Sequence, residues 1–104
     1  PGTEATARIV PGTESKPDRH GVYSGFVEIK DERTGQWVRK TSRSTFFPKH
    51  WTRSEVRTAV LEAFAHRKDL GGGQWRGQLS NGMTIRGAVD PSIRITTAYP
   101  ETED

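Results

Sequence analysis

The sequence predicts an α+β domain, a mainly antiparallel sheet in the order β-β-α-β-β-β with one covering helix. Five short stretches rich in β-branched and aromatic residues are bounded by turn residues. A single stretch, between residues 52 and 68, repeats its apolar residues at helical spacing. The connections are short and carry turn signals such as Asn81-Gly82, which join neighbouring strands as hairpins and make their pairing antiparallel.

Residues 1–19 hold three prolines and two glycines, with Ile9 and Val10 as the only sizeable apolar residues. PGTE occurs there twice, at 1–4 and 11–14, and the charges cancel. That composition predicts a linker or loosely docked arm. Residues 22–30 (VYSGFVEIK) read as a strand with a bulge at Gly25. A turn at 31–35 (DERTG) leads into the hairpin partner, 36–40 (QWVRK). The stretch 41–50 reads as a loop, with Pro48 forbidding regular helix before Trp51.

Thr52 and Glu55 have capping-box spacing, and Trp51 faces Val56 as a hydrophobic staple. Val56, Ala59, Val60, Ala63 and Phe64 then fall on one stripe. Arg67 and Lys68 suit the negative end of the dipole, and Gly71–Gly73 read as the stop. Three strands follow. Trp75, Gly77 and Leu79 alternate with Arg76 and Gln78, and Asn81-Gly82 predicts a type I′ turn. Met83, Ile85, Gly87 and Val89 alternate with Thr84 and Arg86. After Asp90-Pro91-Ser92, the strand 93–99 puts Ile93, Ile95, Thr97 and Tyr99 on one face. The tail 101–104 is acidic and is expected to fray. One helix covers one face of the sheet, leaving the other for a ligand.

At 104 residues there is room for one domain, and an apolar content of 31% makes its core small. Three Trp and four Phe must supply much of it. There is no cysteine, so the fold tolerates a reducing compartment. No apolar run approaches the roughly 20 residues that span a bilayer, so no membrane anchor is expected. Nothing resembles a signal peptide, and Pro1 in place of Met suggests a processed or excised fragment. The net charge is +3, yet Arg39–Arg57 alone hold six Lys or Arg against one acid, Glu55. That concentration beside Trp37, Phe46, Phe47 and Trp51 suits a phosphate-bearing partner at one focused site.

His20, His50 and His66 lack metal-ligand spacing, so no metal or other cofactor is expected. Gly71–Gly73 follow the helix instead of preceding one, so they are no phosphate loop, and no G-x-S-x-G elbow occurs. What remains is a set of separated residues: His20, Lys40, Ser44, Thr45, Thr97 and Tyr99. Cutting RNA without a metal needs a base for the ribose 2′-OH, cations and hydroxyls around the crowded phosphorane, and an acid for the departing 5′-oxygen. An imidazole suits the base, and lysine suits the phosphate as a compact charge.

The run Ser44-Thr45-Phe46-Phe47-Pro48-Lys49-x-Trp51-Thr52, the later Gly82-Met83-x-Ile85-x-Gly87 and the closing Ile95-Thr96-Thr97-Ala98-Tyr99-Pro100 together resemble bacterial EndoU-type nuclease domains. Such domains form the C-terminal warheads of contact-dependent inhibition and other polymorphic toxins, within a barnase-like and RelE-like ribonuclease group. The resemblance implies a nuclease domain over 20–100 with a helix packed on an antiparallel sheet. It implies metal-independent cleavage of RNA (tRNA among the candidates) to a 2′,3′-cyclic phosphate. It further implies an N-terminal delivery protein in the full-length chain, release from a producer cell, action in a target cell's cytoplasm, and a cognate immunity protein. The family's lysine falls on Lys40 and its final Thr-x-Tyr pair on Thr97 and Tyr99. His20 takes the place of a catalytic histidine, and Arg39, Arg43, Ser44 and Thr45 of phosphate contacts. The family pattern has two histidines upstream of its lysine, whereas only His20 lies there in this chain. His50 is the remaining candidate for the second, and His66 reads as surface. Two alternatives stay open: a binding module that kept the fold but not the activity, and a histidine-free RelE-like site using Arg39, Arg43, Arg86 or Arg94 with Tyr99.

Overall fold

The computed structural model describes residues 7–102. The first PGTE copy and the last two residues of the acidic tail lie outside them. The strands are β1 (Ala7–Ile9), β2 (Tyr23–Lys30), β3 (Trp37–Phe46), β4 (Lys68–Gly71), β5 (Gln74–Gln78), β6 (Thr84–Val89) and β7 (Ile95–Pro100). One helix, α1 (Arg53–Ala65), lies between β3 and β4. All pairings are antiparallel, as expected of the α+β class. The strands form two sheets rather than one, ordered β1-β2-β3 and β4-β5-β6-β7, and β3 packs beside β7.

Two strands escape the sequence pattern. The stretch expected as a linker or loose arm is paired along the edge of β2. Ala7 stands opposite Ile29, the Val10 amide donates to Phe26 O at 2.8 Å, Ser15 to Ser24 O at 2.7 Å, and Asp18 to Val22 O at 2.8 Å. Backbone pairing of this kind needs no alternating side chains, so its composition gave no strand signal. β4 was hidden by Gly71–Gly73. These residues turn the chain between β4 and β5, while α1 already ends at Ala65. The Arg67 side chain still caps the helix, donating through Nη1 to Phe64 O at 3.2 Å.

β3 also continues through Thr41–Phe46, where a loop was expected. Phe26 pairs with Arg43 and Glu28 with Arg39, so Lys40, Thr41 and Ser42 bulge out opposite Val27. The irregularity falls there and not at Gly25.

The helix forms as its cap predicts. Thr52 Oγ1 accepts from the Glu55 amide at 3.1 Å, and Glu55 Oε1 accepts from the Thr52 amide at 3.2 Å. Its buried stripe is narrow: Ala59 and Ala63 are buried, while Val60 and Phe64 pack at its sides. The small residues let α1 sit directly on β5 and β6. There the core gathers Val22, Trp75, Leu79, Met83 and Ile85.

Two hairpin loops differ from expectation in the same way. At 80–82 only Gly82 has positive φ, at 95°. Asn81 instead accepts the Met83 amide at 2.9 Å through its side chain, giving a three-residue loop and not a type I′ turn. At 91–93 the left-handed position falls on Ile93, with φ 60°. Asp90 Oδ1 accepts from the amides of Ser92 and Arg94, both at 2.9 Å, and holds the turn. β-Branched residues are strained there, and Ile93 is 60% exposed, so its side chain returns little packing. Ile93→Asn is expected to stabilise the domain by about 1 kcal/mol, read as a rise in Tm; an unchanged or lower Tm would show that the turn carries no strain.

Candidate functional site

Register decides which face of the second sheet each residue serves. On β5 and β6, Trp75, Gly77, Ile85 and Gly87 are buried under α1. On β7 a one-residue slip separates the pairs Val89–Ile95 and Ala88–Thr97. Thr96 is the extra residue, and a slip of one moves every side chain to the other face. Ile95, Ala98 and Pro100 therefore stand with the core face, opposite Val89, Gly87 and Ile85. Thr97 and Tyr99 share the open face, opposite Ala88 and Arg86. The expectation that Ile93 and Ile95 lie with them is corrected: Ile93 is in the turn, and Ile95 packs against the core. Both Thr97 and Tyr99 are exposed, Tyr99 by 39%. An exposed tyrosine and threonine on a sheet face offer a ring for stacking and a hydroxyl for a phosphate or base edge.

His20 sits in the turn before β2, where its backbone is held by Asp18. Asp18 Oδ1 accepts from the His20 amide at 2.8 Å and from the Val22 amide at 3.0 Å. Its imidazole packs on the β5–β6 loop, so closely that a Cβ added at Gly82 would lie 3.6 Å from Cε1. The end of β7 lies at that same edge of the sheet: the Glu101 amide donates to Thr84 O at 2.8 Å, and Thr102 lines a hollow with Asp18 and Val22. His20 thus stands at the β5–β6 loop end of the second sheet, whereas Tyr99 and Thr97 pair with Arg86 and Ala88, four and six residues along the chain from Gly82.

Lys40 is set apart from them. It is exposed in the β3 bulge, lining a groove of about 490 Å3 with Val38, Arg39, Thr41, Ser42, the β2 residues Ile29 and Lys30, and Asp31 just beyond them. The bulge lies opposite Val27, and His20 precedes Val22 by two residues. Five extended residues span roughly 16 Å. The structure therefore separates Lys40 from His20 along β2, where one shared groove was expected.

The remaining phosphate candidates divide between faces. Arg39, Arg43 and Thr45 stand opposite Glu28, Phe26 and Ser24 on one face of the first sheet, and Ser44 stands opposite Gly25 on the other. The Arg39 guanidinium lies over the Phe26 ring at 5.4 Å. Arg43 is engaged structurally: it donates to Thr13 O, to Ser24 Oγ at 3.2 Å and to Ser24 O at 3.3 Å, clamping the N-terminal segment across β2. Thr45 Oγ1 is buried with no hydrogen-bond partner among the described residues, so it faces no solvent-borne phosphate.

Lys49 has a similar clamping role. It pairs with Glu14 and lies 5.2 Å above the Tyr23 ring. The bond to Glu14 raises its pKa. That interaction is complete below the ordinary lysine range and is lost as pH rises through the raised value. His50 and His66 are both exposed, His50 just before α1 and His66 at its C-terminus. Among the described residues no three of His, Asp and Glu gather into a group that could hold a metal ion. No helix among them is long and apolar enough to cross a membrane.

Sequence reasoning missed the cross-strand neighbours of Tyr99. Arg86 stands opposite it and Arg76 opposite Arg86, on the same open face. Their alternation with buried residues was visible, but their alignment with Tyr99 depended on the slip at Thr96.

Comparison with known proteins gives two matches. The profile of the family described as bacterial EndoU nuclease matches residues 2–102. A Bacillus cereus protein named a toxin is 31% identical over 94 residues, which is 89% of this chain. The chain spans 16% of that relative's length. No solved structure matches this chain.

Proposed function

The chain belongs to the bacterial EndoU nuclease family, and from that premise we propose that it is the nuclease end of a toxin that cuts RNA by attack of the ribose 2′-OH. The arrangement of α1 on an antiparallel sheet is taken as the barnase-like and RelE-like one. The observation that carries the reading is the exposed Thr97–Tyr99 pair on the open sheet face beside Arg86.

Each side chain has a task there. Tyr99 stacks on a base, and Thr97 donates to the phosphate or to a base edge. With its Nε2 buried against the β5–β6 loop, His20 takes the 2′-OH proton through Nδ1, and the freed oxygen attacks the neighbouring phosphorus. The 5′-oxygen takes a proton from solvent as it leaves, and a 2′,3′-cyclic phosphate remains. Arg86 lies within the same row to offset charge on the phosphorane. Lys40, in the β3 bulge opposite Val27, holds a phosphate of a different nucleotide. The scheme needs no metal.

The test is digestion of total RNA or tRNA in EDTA. Cleavage by the parent chain supports the reading. Salt-sensitive RNA binding with no cleavage supports instead a binding module that kept the fold.

A toxin of this kind acts in the cytoplasm of a target cell, after delivery by the N-terminal part of a longer chain. Its producer needs protection, and the exposed cations around Lys40 suit an acidic immunity protein. Affinity for such a protein should fall on Lys40→Glu and with rising salt; indifference to both rules out a charge-driven plug.

A further inference from the structure

The open face of the second sheet carries a line of cations beyond what the cleavage step uses. Lys68 on β4 stands opposite Arg76 on β5, Arg76 opposite Arg86 on β6, and Arg86 opposite Tyr99 on β7. Directly paired residues share a face. The four side chains therefore form one row across the whole sheet, about 15 Å long at the usual strand spacing.

Like charges placed directly opposite each other destabilise a sheet, and here that happens twice in succession. Local partners offset part of it. Glu101 Oε2 accepts from Arg76 Nε at 3.3 Å and from Nη2 at 3.1 Å, and Gln74 Oε1 accepts from Arg86 Nη2 at 3.1 Å. At its outer end the row opens into a hollow of about 330 Å3, lined by His66, Lys68, Leu70, Arg76, Gly77, Gln78 and Thr84, with no carboxylate from the described residues in its wall. Cations and neutral hydrogen-bonding groups around a surface hollow match a sugar-phosphate chain.

We infer that this row is a track for single-stranded RNA leaving the cleavage site, with Arg76 and Lys68 holding phosphates that flank the nucleotide at Tyr99. The inference rests on the ribonuclease reading. Phosphate contacts position a strand without reading its sequence, so the track adds affinity for long substrates and no base preference. Glu101 is the built-in competitor, occupying Arg76 until a phosphate takes its place.

The experiment compares cleavage of a long single-stranded oligonucleotide with that of a dinucleotide, using variants at exposed positions of the row. Lys68→Glu is expected to raise KM for the long substrate about tenfold and to shrink the long substrate's advantage by the same factor. The salt slope of oligonucleotide binding should fall by about 0.7 for each cation removed. Glu101→Gln should act oppositely, lowering the long-substrate KM about threefold. Arg33→Glu, in the β2–β3 turn, makes the same charge change away from the row and controls for net charge. In a protein that still cleaves, a long-substrate KM indifferent to both Lys68→Glu and Glu101→Gln overturns the track and leaves the ribonuclease reading standing. If no RNA is cleaved, fluorescence anisotropy with the same labelled oligonucleotide decides: binding that Lys68→Glu leaves unweakened overturns the track on its own.

Discussion

Gly77→Ala is expected to unfold much of the domain near body temperature. A Cβ at that position would stand 1.9 Å from the carbonyl oxygen of Ala63 and 2.6 Å from its carbon. The obstacle is helix backbone, which cannot rotate aside as a side chain can. Either α1 lifts off β5 or β5 bends away, and in both cases Trp75, Ala59 and Ala63 lose their packing. Overpacking costs about 1–3 kcal/mol, and more where backbone must move. A domain of this size holds only about 5–15 kcal/mol in total. At roughly 4–8 °C per kcal/mol, Tm should fall by on the order of 15 °C or more. Thermal melting by circular dichroism checks this. A fall of only a few degrees would mean that α1 is not seated directly on Gly77.

His20→Ala is expected to reduce RNA cleavage by about 10²–10⁴-fold, the usual contribution of a positioned general base. The turn should persist, because Asp18 Oδ1 accepts from the His20 and Val22 amides, which the substitution leaves in place. Tm therefore stays within a few degrees, and the loss falls on kcat. Lys40→Ala should behave differently. With the two residues set apart along β2, its loss should appear mainly in KM. If His20→Ala cleaves at the parent's rate while Tyr99→Phe is inactive, the chemistry belongs to the arginine row with Tyr99, and the imidazole has no part in it.

The residues of the sequence carried the helix, its cap and the three C-terminal strands, because each rests on local signals: a capping box, an apolar stripe, alternation. They also placed Thr97 and Tyr99 on one face, which two-residue spacing guarantees on either side of a slip. What they could not carry was register. The extra residue at Thr96 assigns that pair to the open face and Ile95 to the core, and it aligns Tyr99 with Arg86 and Arg76. The bulge at Lys40–Ser42 sends β3 on as strand past its expected end. A bulge depends on the partner strand, so no local pattern announces it. β1 escaped for a related reason: Ala7, Arg8 and Ile9 show no alternation, and their pairing is backbone to β2. Gly77 gave a usable hint, since a glycine within an alternating strand often marks a close backbone approach. The candidate site was thus legible as residues before it was legible as places.

Attack by the 2′-OH is measured most directly with one RNA oligonucleotide and a copy bearing 2′-deoxyribose on the 5′ side of the mapped cut. The RNA is expected to be cut in EDTA to a 2′,3′-cyclic phosphate end, while the deoxy copy remains intact at that bond. Cleavage of both at equal rates, or product ends without the cyclic phosphate, would contradict attack by the 2′-OH and with it the roles given to His20, Thr97 and Tyr99.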